Sequence, residues 1–471
     1  MKRVLASTFA LLLGLSFSLR PTGAEAATFN IVDEDVAGLI AAINAANANA
    51  GPHIINLAPA GSYTLSAPIP FVNIFGIPDA AGLPQITSQI TVNGNGATIQ
   101  RSSLAGTPDF RILTTFFADL TLDGLTIRGG RGGYGAGVEK VGGNLRLLNS
   151  TVTENDGGNE GEGAGIFNRC GTVTVVNSTI SRNRSFGGFG GGGVLNFSHL
   201  CPATITIINS TIFENQADGP PGFQGRGDAV ADGFSPPGSV VLKNSIVASP
   251  TQGLGIDCYA FVPASLGHNI ASDASCGLTG SGDLNSTDPL LGPLALNGAA
   301  TQTHAPLPGS PAIDAVPITD CADTAGTPIA TDQRGIARPQ GSSCDIGAHE
   351  VEVAAEIIVA IDIKPGSFPN SINIGSAGVV PVAILSSATF DATQVDPGTV
   401  VLAGATVRLI GKASKYSCRA EDVNSDALID LVCHIETAQF AIQSGESVAV
   451  LKAKTLGGQA IRGEDLLSIV P

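Results

Sequence analysis

The sequence has no tryptophan, one methionine and few rings; aromatic residues make up 5% of it. A compact core built around large aromatic side chains is therefore excluded, and a narrow aliphatic one is expected. Charged residues are also sparse, at 14%. Segments that stay disordered combine low hydrophobicity with high charge, so disorder is excluded for most of the chain. Basic residues are the scarcer sign: 24 Lys and Arg stand against 40 Asp and Glu, a formal net charge of −16. Such a surface disfavours DNA, RNA and anionic lipid as partners, and is compatible with divalent cations. After the first twenty residues no apolar stretch is long enough to span a bilayer. No C-x-x-C motif occurs and the histidines are scattered, which argues against zinc.

What is abundant is glycine, with 60 residues, and repetition. Four segments read LRLLNSTVTEN, VTVVNSTISRN, ITIINSTIFEN and VVLKNSIV, and LTLDGLTIRGG precedes them. Aligned, they place Asn149, Asn177, Asn209 and Asn244 in one column, at intervals of 28, 32 and 35 residues. Leu145 and Leu147, Val173 and Val175, Ile205 and Ile207, and Val240 and Leu242 occupy matching positions with polar residues between them. That is the period of a strand with one apolar face. Val152, Ile180, Ile212 and Val247 follow three residues after the column asparagine. A second column, Asn155, Asn183 and Asn215, follows six residues after it. Gly137, Gly165 and Gly193 each precede another branched residue.

Each repeat therefore holds about three short strands joined by tight turns, with no helix between repeats. That predicts a parallel β-helix, each rung pairing with its neighbours about 4.8 Å away. A β-propeller blade needs four antiparallel strands and usually about 40 residues. Asparagine suits the turns because it tolerates left-handed backbone and can bond the next asparagine in a stack. Asn177→Leu is thus expected to cost roughly 1–3 kcal/mol, and Asn183→Ser less. The three N-S-T triplets also match the glycosylation sequon, but their equal placement already has a structural cause.

Lys2 and Arg3, the apolar run Val4 to Leu19 and Ala24-Glu25-Ala26 read as a secretory signal peptide over residues 1–26. The expected compartment is secreted, extracellular or cell surface. Removing its three cations and one anion leaves a net charge of −18. All eight cysteines follow it, so disulfides are expected. Sequence proximity favours Cys258–Cys276, Cys321–Cys344 and Cys418–Cys433; Cys170 and Cys201 fall at nearly the same point of successive rungs.

Residues Val36 to Asn47 carry Leu39, Ile40 and Ile43 at helical spacing, with Asp33 or Asp35 as N-cap. This helix is expected to cover the open end of the first rung. The β-helix is assigned to residues 27–285. A proline-rich, loop-like stretch over 286–352 is expected to close its far end. From residue 356 to 471, GVVPVAIL, TVVLAGATVRLI, DLVCHIE, ESVAVLKA and EDLLSIV read as closely spaced strands, which predicts a small β-sandwich.

The pattern DP-LGPL-NG-T-TH-GSPAID…DQRG-RP…CDIGA-E, with the opening LIAAINAAN…INL…YTL, resembles the bacterial choice-of-anchor Q domain family over roughly residues 28–352. The resemblance implies an exported right-handed parallel β-helix, usually without an assigned activity. The opening departs from the commoner C-S-L-R-E-A form, with Val36-Ala37-Gly38-Leu39-Ile40-Ala41 in its place. No LPxTG-type motif or terminal hydrophobic helix occurs, so no anchoring route is implied. The second unit resembles modules that follow secreted bacterial β-helices, and this implies no activity.

Many parallel β-helices cleave polysaccharides, so a lyase or glycoside hydrolase is the alternative to a binding or structural protein that takes a polysaccharide or cell-surface ligand. A hydrolase needs paired carboxylates, but N-T-D, D-D and R-x-K motifs are missing from the rungs. For a lyase-like site, Glu139, Glu154, Asp156, Glu160 and Glu162 supply acid, and Lys140, Arg128 and Arg131 supply base. Most fall in glycine loops without aligned spacing, so no catalytic residue is assigned. His199 reads as a loop residue; His304 and His349 read as packing residues of the tail. The sharpest local motif is Asp422, Asn424, Asp426 and Asp430, oxygen ligands at positions one, three, five and nine of a calcium loop. Ala427 stands where glycine normally makes the sharp turn.

Overall fold

The computed structural model describes residues 26–49, 51–73, 75–159, 161–198, 201–219, 226–233, 240–249, 256–352, 356–373, 378–411, 415–441 and 448–470. Residues 1–25 of the expected signal peptide lie outside the described residues. The chain forms two compact units, residues 1–352 and 353–471.

The first unit is wound from three parallel sheets of nine, eight and six strands. Successive strands go to successive sheets, and each pairs with its counterpart one repeat later. Thus Asn144–Leu148 pairs with Gly171–Val176, Thr151–Thr153 with Thr179–Ser181, and Val138–Val141 with Ile166–Arg169. The registers follow the sequence columns: Leu145 lies beside Val173, Val173 beside Ile205, and Ile205 beside Val240. This is a parallel β-helix-like fold. Leu120, Leu145, Val173, Ile205 and Val240 from one sheet meet Ile127, Val152, Ile180, Ile212 and Val247 from another in a single core. Full burial of each such side chain contributes roughly 1.5–3 kcal/mol.

Rungs stack this closely only where the turn residues permit it. A Cβ on Gly165 would sit 2.4 Å from the Gly193 carbonyl oxygen on the next rung. The helix Val36–Asn47 places Leu39, Ala42, Ile43 and Ala46 in the same core at the first rungs. Asp35 is its cap, accepting from the Gly38 amide at 2.7 Å.

Each letter of the N-S-T triplet has its own structural cause. Asn149, Asn177, Asn209 and Asn244 all take left-handed φ, between 45° and 50°. The serines make a ladder: the amides of Ser150, Ser178 and Ser210 each donate to the next serine hydroxyl at 3.2 Å. The threonines face the tail. Stacked amides occur in the second asparagine column instead of the first. Asn155 Nδ2 donates to Asn183 Oδ1, and Asn183 Nδ2 to Asn215 Oδ1, both at 2.9 Å, with all three residues buried. Asn183 also bonds the Val152 and Ser181 carbonyls and the Asn155 amide. Asn177 makes a single side-chain bond, to the Thr331 carbonyl at 2.9 Å. The first column turns the backbone; the second holds the interior.

The segment 286–352, expected to close the far end, runs lengthwise along the threonine column. Thr151 Oγ1 donates to the Gln302 carbonyl at 2.7 Å, Thr179 Oγ1 to Gln333 Oε1 at 2.7 Å, and Thr211 Oγ1 accepts from the Ala348 amide at 3.0 Å. Its D-Q-R-G…R-P…C-D-I-G-A-H-E pattern is a buried ion network. Arg338 pairs with Glu350 at 2.7 Å and donates to the Asp345 and Gly347 carbonyls, while Arg334 pairs with Asp332 at 2.8 Å. The eight cysteines stand in four pairs at disulfide distance: 170–201, 258–276, 321–344 and 418–433. No helix among the described residues is long and apolar enough to cross a membrane.

In the second unit, a five-stranded and a four-stranded sheet share one apolar core that includes Ile363, Val382, Ile384, Leu402, Ile435, Leu451 and Ile461. Cys418 and Cys433 lie opposite each other on paired antiparallel strands.

The amide ladder sets an order of mutational cost that reverses the one expected from the sequence. Asn183→Ala removes a donor and an acceptor from buried partners and is expected to cost about 3 kcal/mol. Asn177→Ala is expected to cost about 1 kcal/mol, mostly from left-handed backbone. Urea unfolding of both variants checks this; an equal or larger loss for Asn177→Ala would contradict the ladder assignment.

Candidate functional site

The third sheet carries a groove in which rings and buried charges meet. Its strands Leu113–Phe116, Val138–Val141, Ile166–Arg169 and Val194–Phe197 lie in register. Alternate residues point to opposite faces. Leu113, Val138, Ile166 and Val194 enter the main core. Thr114, Glu139, Phe167 and Leu195 form one outward column, and Phe116, Val141, Arg169 and Phe197 the next.

An antiparallel hairpin, Ile69–Val72 with Pro78–Ala81, interrupts the parallel winding. It supplies Phe71, Asn73, Phe75, Ile77 and Asp79 as a wall of the groove, which encloses about 450 Å³. Phe75 is 53% exposed and Tyr134 42%. A cavity of this size, mostly apolar with a few fixed polar groups, is of the kind that holds small organic ligands.

Beneath the hairpin, Arg111 joins two carboxylates. Its Nη1 donates to Asp79 Oδ2 at 3.0 Å and to Glu139 Oε2 more closely still. Arg111 and Glu139 are both buried. Burial pushes the Glu139 carboxyl upward, and the Arg111 charge opposes that. Glu162 lies nearby, pushed upward by burial, with Oε1 accepting from the Phe189 amide at 2.9 Å. Arg169 stands at the other side of the floor. Its guanidinium carbon is 5.1 Å from the Phe75 ring centre, 5.4 Å from Tyr134, 4.9 Å from Phe167 and 5.7 Å from Phe197.

Of the acids and bases considered from the sequence, only Glu139 lines this groove. Lys140 is its strand neighbour and faces the interior, fully buried, donating to the Cys170 carbonyl. Glu139 and Lys140 therefore cannot act on one substrate from the same face. Arg128 pairs with Glu154 at 2.6 Å on the exposed surface, and Arg131 with Asp109 at 3.6 Å. Asp156 caps its own turn at the Gly158 amide. Glu160 and His199 lie outside the described residues. His304 is buried, bonding Ser181 Oγ at 2.8 Å and the Gly292 carbonyl, and His349 is buried beside Thr303. His304 packs the tail onto the rungs, and His349 joins two parts of the tail to each other.

In the second unit, Asp422, Asn424, Asp426 and Asp430 share one loop, and their oxygens largely cap its backbone. Asp422 accepts from the amides of Ser425, Asp426 and Ala427 at 2.7, 3.3 and 3.0 Å. Asp426 accepts from the Leu428 amide and from Asn424 Nδ2. Asp430 is buried and accepts from Ser386 and Val423. Ala427 takes φ 69°, the turn that glycine would supply at that place. No group of three or more His, Cys, Asp or Glu among the described residues is arranged to hold a metal ion.

Sequence reasoning missed Arg169, Arg111 and the hairpin. The strand alternation puts Arg169 on the same outward face as Glu139, in the next column, but no spacing links either to Phe75 or Asp79.

Titratable groups inside the coil give a pH signature. Burial pushes Asp228 and Asp257 up to about 6; the charges of Asp257, Asp218 and Asp273 add to it at Asp228, and that of Asp273 at Asp257. Burial pulls Lys140 down to about 7. Carboxyls raised in the folded state bind protons there that the unfolded chain has released, so stability falls as pH rises from about 4 to 6. A lysine depressed in the folded state does the opposite, so stability rises with pH above about 7. Urea midpoints between pH 4 and 9.5 are expected to pass through a minimum near pH 6–7, with limbs on the order of 2 kcal/mol. Asp257→Asn should flatten the acid limb and Lys140→Met the alkaline one. A steady rise from pH 4 to 7 would contradict the assignment. No family model, curated protein or solved structure matches this chain.

Proposed function

We propose that the chain is an exported, non-catalytic protein that holds a carbohydrate chain in the groove on its third sheet. The observation that carries this reading is the meeting of ring faces with ion-paired polar groups in one cavity. Phe71, Phe75, Tyr134 and Phe197 offer apolar faces; Asn73, Gln85, Glu139 and Arg169 offer donors and acceptors. A sugar ring has that same division between apolar C–H faces and a rim of hydroxyls. The apolar surface gives affinity and the fixed polar groups orientation.

Export is supported by the signal-peptide pattern over residues 1–26 and by four cysteine pairs at disulfide distance. The resemblance to choice-of-anchor Q domains supports a right-handed winding and a surface or extracellular role. The shared core of two antiparallel-rich sheets supports a β-sandwich as the second unit.

The second reading, a polysaccharide lyase or hydrolase, draws on the Asp79 and Glu139 carboxylates. Both carboxylates are held by one guanidinium nitrogen, Arg111 Nη1, so neither is free to face a water or a leaving-group oxygen. Burial raises the Glu139 carboxyl, but its hydrogen bond to Arg111 keeps it occupied beneath the hairpin. Lys140, the base nearest in sequence, faces away.

Calcium in the second unit is a subsidiary proposal. It rests on the D-x-N-x-D spacing of Asp422, Asn424 and Asp426 with Asp430, and on the left-handed turn at Ala427. A carboxylate that accepts two or three amides keeps lone pairs for a cation.

Glycan-array binding followed by calorimetry should find a ligand, and Tyr134→Ala and Phe75→Ala should each weaken it about fivefold to tenfold. Release of reducing or unsaturated ends, lost in Glu139→Gln, would overturn the non-catalytic reading. Calcium titrated into the full chain should bind with Kd ~10⁻⁴–10⁻³ M, and Asp426→Ala should abolish the heat. Binding unchanged in that variant would remove calcium from this loop.

A further inference from the structure

We propose that Arg169 reads a carboxylate, so that the groove takes an acidic sugar unit, a uronate within a polysaccharide. This rests on the carbohydrate-binding reading above and sharpens it.

Arg169 lines the cavity yet is only 9% exposed. Among the described residues its guanidinium makes no hydrogen bond and no ion pair; four aromatic rings surround it. A guanidinium presents five N–H donors and does not lose its charge. Cation–π contact offsets part of the cost of desolvating that charge but satisfies no N–H. Buried polar groups are almost always partnered, and none of the described residues supplies a hydrogen-bond partner to this one.

The other charges of the groove cannot be that partner. Asp79 and Glu139 are bound to Arg111. Glu162 holds the Phe189 amide and acts on Arg169 only from beyond ion-pair distance. Among the described residues the groove floor thus carries one guanidinium with no hydrogen-bonded carboxylate, beside two carboxylates already tied to Arg111, and the Glu139 charge acts on it only from beyond ion-pair distance.

The missing partner is an anion of planar, two-oxygen shape, because a fork of N–H donors fits a carboxylate with two parallel bonds. A sugar hydroxyl would satisfy one donor and leave the charge unpaired. A uronate unit supplies the carboxylate on the same ring whose apolar face the aromatics would cover.

The test is calorimetry on the full exported chain with two matched pairs of probes: oligoglucuronate and oligogalacturonate, each beside its carboxyl-reduced neutral counterpart. The expected result is that at least one uronate chain binds about tenfold or more tightly than its neutral counterpart, with affinity falling as salt rises. Arg169→Gln should erase that preference without lowering the melting temperature, since it removes a buried unpaired charge. Arg169→Lys should keep part of the preference, having the charge without the fork. Neutral chains bound as tightly as uronates, or a preference that survives in Arg169→Gln, would overturn the assignment of Arg169 and leave the carbohydrate reading standing. Binding of none of the four probes, with none on a glycan array, would overturn both.

Discussion

Everything in the first unit depends on rung-to-rung pairing of parallel strands. Each strand satisfies its backbone with the strand one repeat away, so a rung needs only the right residue at each column. Small aliphatic residues fill a narrow interior, and this is why the chain manages with so few aromatics. Where the columns cross a turn, the requirement becomes chemical: left-handed backbone at Asn149, Asn177, Asn209 and Asn244, and a buried amide chain through Asn155, Asn183 and Asn215. Loop length between strands is free. The column intervals of 28, 32 and 35 residues change nothing in the sheet registers.

That freedom is where a site can be built. The hairpin Ile69–Val72 and Pro78–Ala81 leaves the coil without breaking the rung ladder and roofs the third sheet. The strands below then place Glu139 and Arg169 on one outward face at fixed spacing. Rigid strands set the floor; an inserted loop supplies the wall and most of the exposed rings.

The interior of this fold was legible because its information is local and repeated. Alternation at Leu145, Leu147 and their counterparts, the asparagine columns and the cysteine spacings all lie within one repeat of each other. The distinction between the two columns was not legible. Both show asparagine at a fixed offset, and only the side-chain direction shows that Asn183 stacks and Asn177 turns outward. The tail's path was not legible either, because Thr151, Thr179 and Thr211 read as ordinary strand residues until Gln302, Gln333 and Ala348 lie against them. The groove was the least legible part. Its members come from Phe71 to Phe197, and Arg111 joins Asp79 to Glu139 across 60 residues. Glu139 was a candidate as an acid; its role beneath the hairpin follows from Arg111, which carries no motif.

The central claim is that the third-sheet groove is where a carbohydrate is held. Hydrogen–deuterium exchange of the full chain, free and with a bound oligosaccharide, tests it most directly. New protection is expected in the hairpin strands 69–72 and 78–81, in residues 129–137 and in the strand 166–169, with the tail 286–352 unchanged. Protection confined to the second unit or to the tail, with the hairpin exchanging as in the free protein, would contradict it.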